Sequence, residues 1–389
     1  MFTAEQLRQL AGFRSDRFPL SSFYWKAPIA ANRSHHDEQI LINNLLREGR
    51  RQVEGENHSR EALRSLEADQ QKILEYFNTP EYRWTNAALF ACSGESFWMP
   101  VRLPRGLRSG FLAGDRFFLQ SLILLLDQYH RYCTVLMDRQ SARIFEIYLG
   151  EIEEHTSLLD EVPGRIKAAT WTGGNERQIA RRTENKAHQH YRRTAEAVLQ
   201  FFRKYQFDWL ILGGHPDGLA VFQNHLHSYL RPRVIGGFPA DLKQVSRQDI
   251  LAKSLEIAEA RDRQEKARLV EEAWNKAKHG GLGVVGLADA LRALELGEVH
   301  TLLVDEGLDA SVLICRDCGA VASADARCCA ACGGKVEQVE HAVEQAVELA
   351  VQDGSQIRFT TGDTLLRQAG GMAALLRFRT AESPPPPAP

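Results

Sequence analysis

Five of the seven cysteines fall within the 18 residues Cys315–Cys332. They give two Cys-x2-Cys pairs, Cys315-Arg316-Asp317-Cys318 and Cys329-Ala330-Ala331-Cys332, each followed by glycine and separated by ten residues. Four thiolates on two tight turns suit a tetrahedral zinc ion, and the spacer is workable for a zinc ribbon. Cys328 duplicates a ligand position, so either Cys328 or Cys329 is the third ligand in chain order. Cys329 is favoured because it restores the two-residue spacing. The expected ligands are therefore Cys315, Cys318, Cys329 and Cys332, and no open position or neighbouring His/Glu points to catalysis, so the zinc is expected to be structural. Cys92 and Cys133 stand alone in apolar surroundings and read as buried thiols.

An odd, clustered cysteine count favours a reducing cytoplasm over disulfides. The N-terminus shows no positive segment followed by an apolar one, and the most apolar run, Phe117 to Leu126, is too short to span a bilayer. A chain of 389 residues is expected to hold two or three domains. Hydrophobic periodicity predicts an α/β (mixed α+β) class, with mixed sheets covered by helices in three domains and a cysteine-rich insert in the last. The expected divisions are 1–133, 134–260 and 261–380, with a proline-rich tail at 381–389. In the first, a strand at 20–25 precedes a helical hairpin, Asp37 to about Gly55 and Ser59 to Phe77, a strand at 87–92 and a helix at 117–130. Strands at 134–138 and 142–148 open the second. A long helix follows, with Ile179, Thr183, Ala187, Tyr191, Ala195, Val198 and Phe202 on one stripe. The strand 208–214 then ends in a glycine turn. A helix from about Ser246 to His279 leads into the third, with helices at 287–296 and 339–351 and strands at 301–304, 312–314, 356–359 and 372–378.

The net charge of −2 excludes a uniformly basic coat, yet its distribution is uneven. Arg165–Tyr205 holds ten Lys/Arg against three Asp/Glu, a net of +7, whereas Glu151–Glu161 is −5. Arg177, Arg181, Arg182, Lys186, Arg192 and Arg193 fall mainly off the apolar stripe. They follow Trp171-Thr172-Gly173-Gly174-Asn175, a glycine loop at a helix start, an arrangement suited to RNA phosphates. His188, His190, His225 and His227 invite a metal reading, which i,i+2 spacing on a helix opposes. Gly281-Leu282-Gly283-Val284-Val285-Gly286 matches the dinucleotide fingerprint in letters but follows a helix rather than a strand. No Gly-x-Ser-x-Gly, P-loop or His-Glu-x-x-His motif occurs, and no small-molecule substrate is evident.

The order of these features resembles the archaeal/eukaryotic-type class-1 peptide chain release factor family, and more closely its divergent bacterial branch. Asp138-Arg139-Gln140-Ser141-Ala142-Arg143-Ile144-Phe145 resembles the start of that family's middle domain. Gly173-Gly174-Asn175 sits where the family has its Gly-Gly-Gln loop. The segments Ala288–Leu308 and Gly370–Phe378, with the cysteine insert between them, resemble the C-terminal domain. The likeness covers about 134–379; residues 1–133 match in layout but weakly in motif. It implies a cytoplasmic, tRNA-shaped protein that binds the ribosome, with Gly173, Gly174 and Asn175 promoting peptidyl-tRNA hydrolysis. The basic residues would meet rRNA, and a translational GTPase is the implied partner of the C-terminal domain. Asn175 is one methylene shorter than the family's Gln, and the first hairpin offers Glu56-Asn57-His58-Ser59 in place of the family's Asn-Ile-Lys-Ser codon-reading loop. These departures leave a non-hydrolytic, RNA-binding stress or hibernation factor as the alternative.

Overall fold

The computed structural model describes residues 3–28, 34–54, 59–103, 106–128, 130–148, 150–155, 176–308, 312–315, 321–322, 327–329, 332–339 and 341–380. The chain divides into two compact units, Met1–Gln128 together with Lys266–Pro389, and Tyr129–Glu265.

In the N-terminal part of the first unit, α1 (Ala4–Gly12) starts on a capping box between Thr3 and Gln6. Strand β1 (Leu20–Trp25) is followed by α2 (His35–Glu54) and α3 (Arg60–Asn78). Ser59 caps α3 by accepting the Ala62 amide, as its position before the apolar repeat suggests. Strands β2 (Ala87–Cys92), β3 (Phe97–Arg102) and β4 (Gly110–Gly114) complete an antiparallel sheet of order β3-β2-β1-β4. One face of that sheet, with Phe23, Trp25 and Leu89, packs with Ile42 and Leu46 of α2 and Leu66, Ile73 and Phe77 of α3. The final helix here, α4, covers Gln120–Gln128.

The second unit is built on β5 (Tyr132–Met137), β6 (Ala142–Tyr148), β7 (Glu151–Glu154), α5 (Glu176–Tyr205), β8 (Trp209–Gly214), α6 (Pro216–His225) and β9 (Val234–Phe238). The sheet order is β7-β6-β5-β8-β9, with β5, β8 and β9 parallel and β6 and β7 antiparallel to their neighbours. Cys133, Val135, Tyr191, Val198, Phe201 and Phe222 form the core between the sheet, α5 and α6. Leu136, Phe145, Ile211 and Phe238 meet Ile250 of α7 (Arg247–Lys278) in a second cluster.

The C-terminal part of the first unit holds β10 (Gly283–Val285), α8 (Leu287–Glu295), β11 (Val299–Asp305), β12 (Val312–Cys315), β13 (Val321–Ala322), β14 (Val336–Val339), α9 (Ala342–Gln352), β15 (Gln356–Thr360), α10 (Thr364–Gln368) and β16 (Met372–Leu376). These strands form a mixed sheet, β10-β16-β11-β15, and a small antiparallel sheet, β13-β12-β14. No described helix is long and apolar enough to cross a membrane.

Two expected helices are shorter in the structure. The helix expected at 117–130 begins at Gln120, where the amides of Leu119 and Gln120 donate to the Glu344 carboxylate and Phe117–Leu119 stay outside the helix. The helix expected from Val339 begins at Ala342, because Val336–Val339 pairs with β12 instead. Cys92 and Cys133 are buried, as expected. Gly283 lies in β10, so the glycine-rich letters at 281–286 span a helix–strand–helix passage and not the turn after a strand.

Candidate functional site

Helix α5 has 30 residues and is about 45 Å long. Ala187, Tyr191, Ala195 and Val198 of the expected stripe are buried, and Phe202 packs against the same core. Burying that stripe fixes which way the basic positions point. Lys186 and Arg192 are exposed and Arg193 is half-buried. Arg177, Arg181 and Arg182 lie in the described backbone of α5, but their side chains are outside the described residues, as is the whole Gly173-Gly174-Asn175 loop.

The turn joining β5 to β6 explains the Asp138–Phe145 motif locally. Asp138 accepts the amides of Gln140 at 2.7 Å and Ser141 at 2.6 Å, so its carboxylate closes the turn. Arg143 reaches Glu154 through two hydrogen bonds, 2.9 and 3.0 Å, a forked pair that ties β6 to β7 and raises the arginine's pKa.

The four histidines do not meet at one point. His188 Nδ1 and His225 Nε2 are 3.0 Å apart, one from each of α5 and α6. Burial, then His188, then Arg192 lower the His225 pKa. His190 is turned away from that pair, its pKa lowered chiefly by burial, and His227 stacks on Tyr229. Sequence spacing alone separates His188 from His190, but it gave no sign that His188 would find His225. Among the described residues, one group of three donors is close enough to hold a cation: Glu146, Glu153 and His155. Arg131 Nε lies 3.2 Å from Glu146 Oε1 and already supplies positive charge there.

In the cysteine region, the sheet register brings Cys315, the last residue of β12, opposite Val336 at the start of β14. The chain just before β14 is a hairpin: the Cys329 amide donates to Gly334 O and the Gly333 amide to Cys329 O, both at 2.9 Å. Gly333 takes φ +73°, a left-handed value that glycine adopts without strain. Cys329 is buried, whereas Cys328 and Cys332 are exposed. Cys318 and the Cys315 side chain lie outside the described residues.

Residues 118–259 match the model of bacterial archaeo-eukaryotic release factor family 10, and residues 263–380 match eRF1 domain 3. Peptide chain release factor subunit 1 of Thermococcus sibiricus is 24% identical over 364 residues, covering 84% of this chain and 86% of its own. The same protein from Pyrococcus abyssi is 26% identical over 278 residues, covering 64% of this chain and 66% of its own. The solved structure of archaeal translation termination factor aRF1 aligns with 97% of the chain and 99% of itself, at 16% identity and a TM-score of 0.25. Through its two adjoining family matches the chain is a relative of the archaeal and eukaryotic-type class-1 peptide chain release factors, with its middle region in their bacterial branch.

Proposed function

We propose that the protein binds the ribosome in the cytoplasm and acts in translation termination or ribosome rescue. The observation that carries this is the exposure of Lys186 and Arg192 on a helix whose other face is buried, inside the segment that matches the release-factor model. A helix held in this way offers cations to phosphates while its own fold needs none of them. Gly173, Gly174 and Asn175, just ahead of that helix in sequence, are the residues we assign to the peptidyl-tRNA ester. Glycines let a backbone come close to the ester, and donors beside it stabilise the oxyanion formed as water adds to the carbonyl carbon. The bond to the tRNA oxygen then breaks, releasing the peptide acid and the tRNA hydroxyl.

The cysteine region is proposed to hold structural zinc on Cys315, Cys318, Cys329 and Cys332. The register of Cys315 against Val336 and the burial of Cys329 in its hairpin support that choice of ligands over Cys328. A translational GTPase is the proposed partner of the C-terminal region.

Two measurements test the ribosomal role together. Co-sedimentation with ribosomes should weaken steeply as salt rises, and Lys186→Glu with Arg192→Glu should reduce it further at every salt concentration. Peptide release from ribosome-bound peptidyl-tRNA should fall on Gly174→Ala and rise on Asn175→Gln. Binding without any release, unchanged by either loop substitution, would leave the non-hydrolytic alternative. No binding at low salt would sink both.

A further inference from the structure

A crevice of about 440 Å³ opens in the second unit at the carboxyl ends of β5 and β8. It is lined by Met137, Asp138, Arg139, Gln140, Tyr191, His215, Asp217 and Gly218. Ligands of open parallel sheets bind at this end of the strands, and the volume is that of a small-molecule site. The chain leaves β8 through Gly213-Gly214 and enters α6 at Pro216. Gly214 takes φ +148°, and a Cβ there would collide with the Met137 carbonyl, so the turn hugs β5 and aims the start of α6 at the crevice. His215, at the cap position, makes no side-chain cap bond. The first-turn amides of Asp217 and Gly218 have no acceptor within their helix, and they carry the positive end of its dipole.

A second observation, independent of the helix, points to a ligand. Tyr191 is only 4% exposed, yet its hydroxyl has no hydrogen-bond partner among the described residues. That oxygen sits 3.4 Å from where a Cβ on Gly218 would stand, on the crevice wall. The side chain is buried as a whole, while its hydroxyl opens on the crevice, where no described residue satisfies it. Arg139 is exposed at the mouth with no ion pair or hydrogen bond among the described residues, close enough for its charge to act on Tyr191. Of the two carboxylates, Asp138 is engaged with its own turn, and Asp217 is exposed, 3.6 Å from His215.

We propose that this crevice binds the phosphate monoester of a mononucleotide, with the phosphate on the α6 amides and Arg139 and the nucleoside against Tyr191, Gln140 and Met137. The space exceeds what inorganic phosphate fills, and the Tyr191 hydroxyl and Gln140 amide supply hydrogen bonds beyond the phosphate. The ligand is either a free nucleotide or the 5′-phosphate of an RNA end. The site lies within one unit and does not depend on the ribosomal reading.

The test is titration of the full chain, without ribosomes, by NMR or calorimetry. The probes are inorganic phosphate, the four ribonucleoside 5′-monophosphates, the unphosphorylated ribonucleosides, and one RNA oligomer with and without a 5′-phosphate. Binding that requires the monoester supports the proposal, and preference for the 5′-phosphorylated oligomer identifies an RNA end as the source. Arg139→Ala should weaken binding roughly 10–100-fold, and Tyr191→Phe about five- to tenfold. Because the Tyr191 hydroxyl has no partner, Tyr191→Phe should melt at the wild-type temperature, separating a site residue from a damaged fold. No binding of any phosphorylated probe, or binding unchanged in both variants, overturns the proposal.

Discussion

Phe145, Phe201, Phe207 and Phe222 are all buried in the second unit, whereas the described side chains of the three-stranded cysteine sheet, Leu313, Val336 and Gln338, are half-buried or exposed. The strands differ in the same sense. Those of the five-stranded sheet run four to seven residues, and those of the cysteine sheet two to four. A region with helices on its sheet has enough apolar surface to fold by burial. Strands of two to four residues offer little apolar surface of their own, and closely spaced thiolates are the crosslink that the sequence there supplies. The two regions therefore answer to different perturbations.

The largest effect is expected from the metal. Zinc at a structural thiolate site is linked to folding by on the order of 10 kcal/mol. The protein should carry one zinc per chain. Stripping it with a chelator should abolish hydrogen-exchange protection in β12–β14 and leave β5, β6 and β8 protected. Cys329→Ser should lose the metal and Cys328→Ser should keep it. Equal protection of the cysteine sheet with and without metal would break the comparison.

Phe201→Ala probes the other side. Phe201 is fully buried, with ring contacts to Tyr205 at 4.5 Å and Phe207 at 5.9 Å. Truncation removes its transfer energy and leaves a cavity, a cost of about 3–5 kcal/mol. Urea unfolding should show the second unit melting earlier while zinc content is unchanged. Co-loss of zinc would mean that the two regions do not unfold separately.

What the sequence made legible follows the same division. Apolar runs located β1, β2 and β6, and a helical stripe located α5, because burial fills a strand with apolar residues and marks one face of a helix. Elements without such a pattern were missed. β7, with Glu151, Glu153 and Glu154 in four residues, reads as an acidic stretch, although Ile152 is its inward residue. β9 carries Gly236-Gly237, the letters of a turn. A Cβ on Gly236 would meet Ile257 at 2.9 Å, and one on Gly237 would meet the Leu212 carbonyl at 2.7 Å, so both glycines serve close packing within a strand. The basic positions were legible as positions off a stripe, and Lys186 and Arg192 are indeed exposed. The crevice was not legible, since its lining comes from three separated segments, 137–140, 191 and 215–218, that only the sheet brings together. Glu344 was equally hidden: nothing in the α9 pattern marks one of its glutamates as the partner of residues 119 and 120.

That glutamate gives the smallest of the three effects and a third kind of bond, neither core nor crosslink. Burial pushes the Glu344 carboxyl up to about 7, while the Leu119 and Gln120 amides and Arg116 pull the other way. Tyr24, also buried, faces it, and its own pKa is raised by burial and by that carboxylate. A carboxyl whose pKa is higher in the fold than its ordinary 4.5 binds more protons native than unfolded between those two values. Its contribution is therefore fully present below about 4.5 and is lost as pH rises to about 7, by roughly 3 kcal/mol. Glu344→Gln keeps an oxygen for the two amides and cannot ionise. Thermal melts of the two proteins should coincide near pH 4.5 and diverge above it, the variant being the more stable by pH 8. Parallel curves across that range would show that the amides at the start of α4 hold Glu344 ionised in the fold. The contact would then be an ordinary helix cap, stabilising at neutral pH.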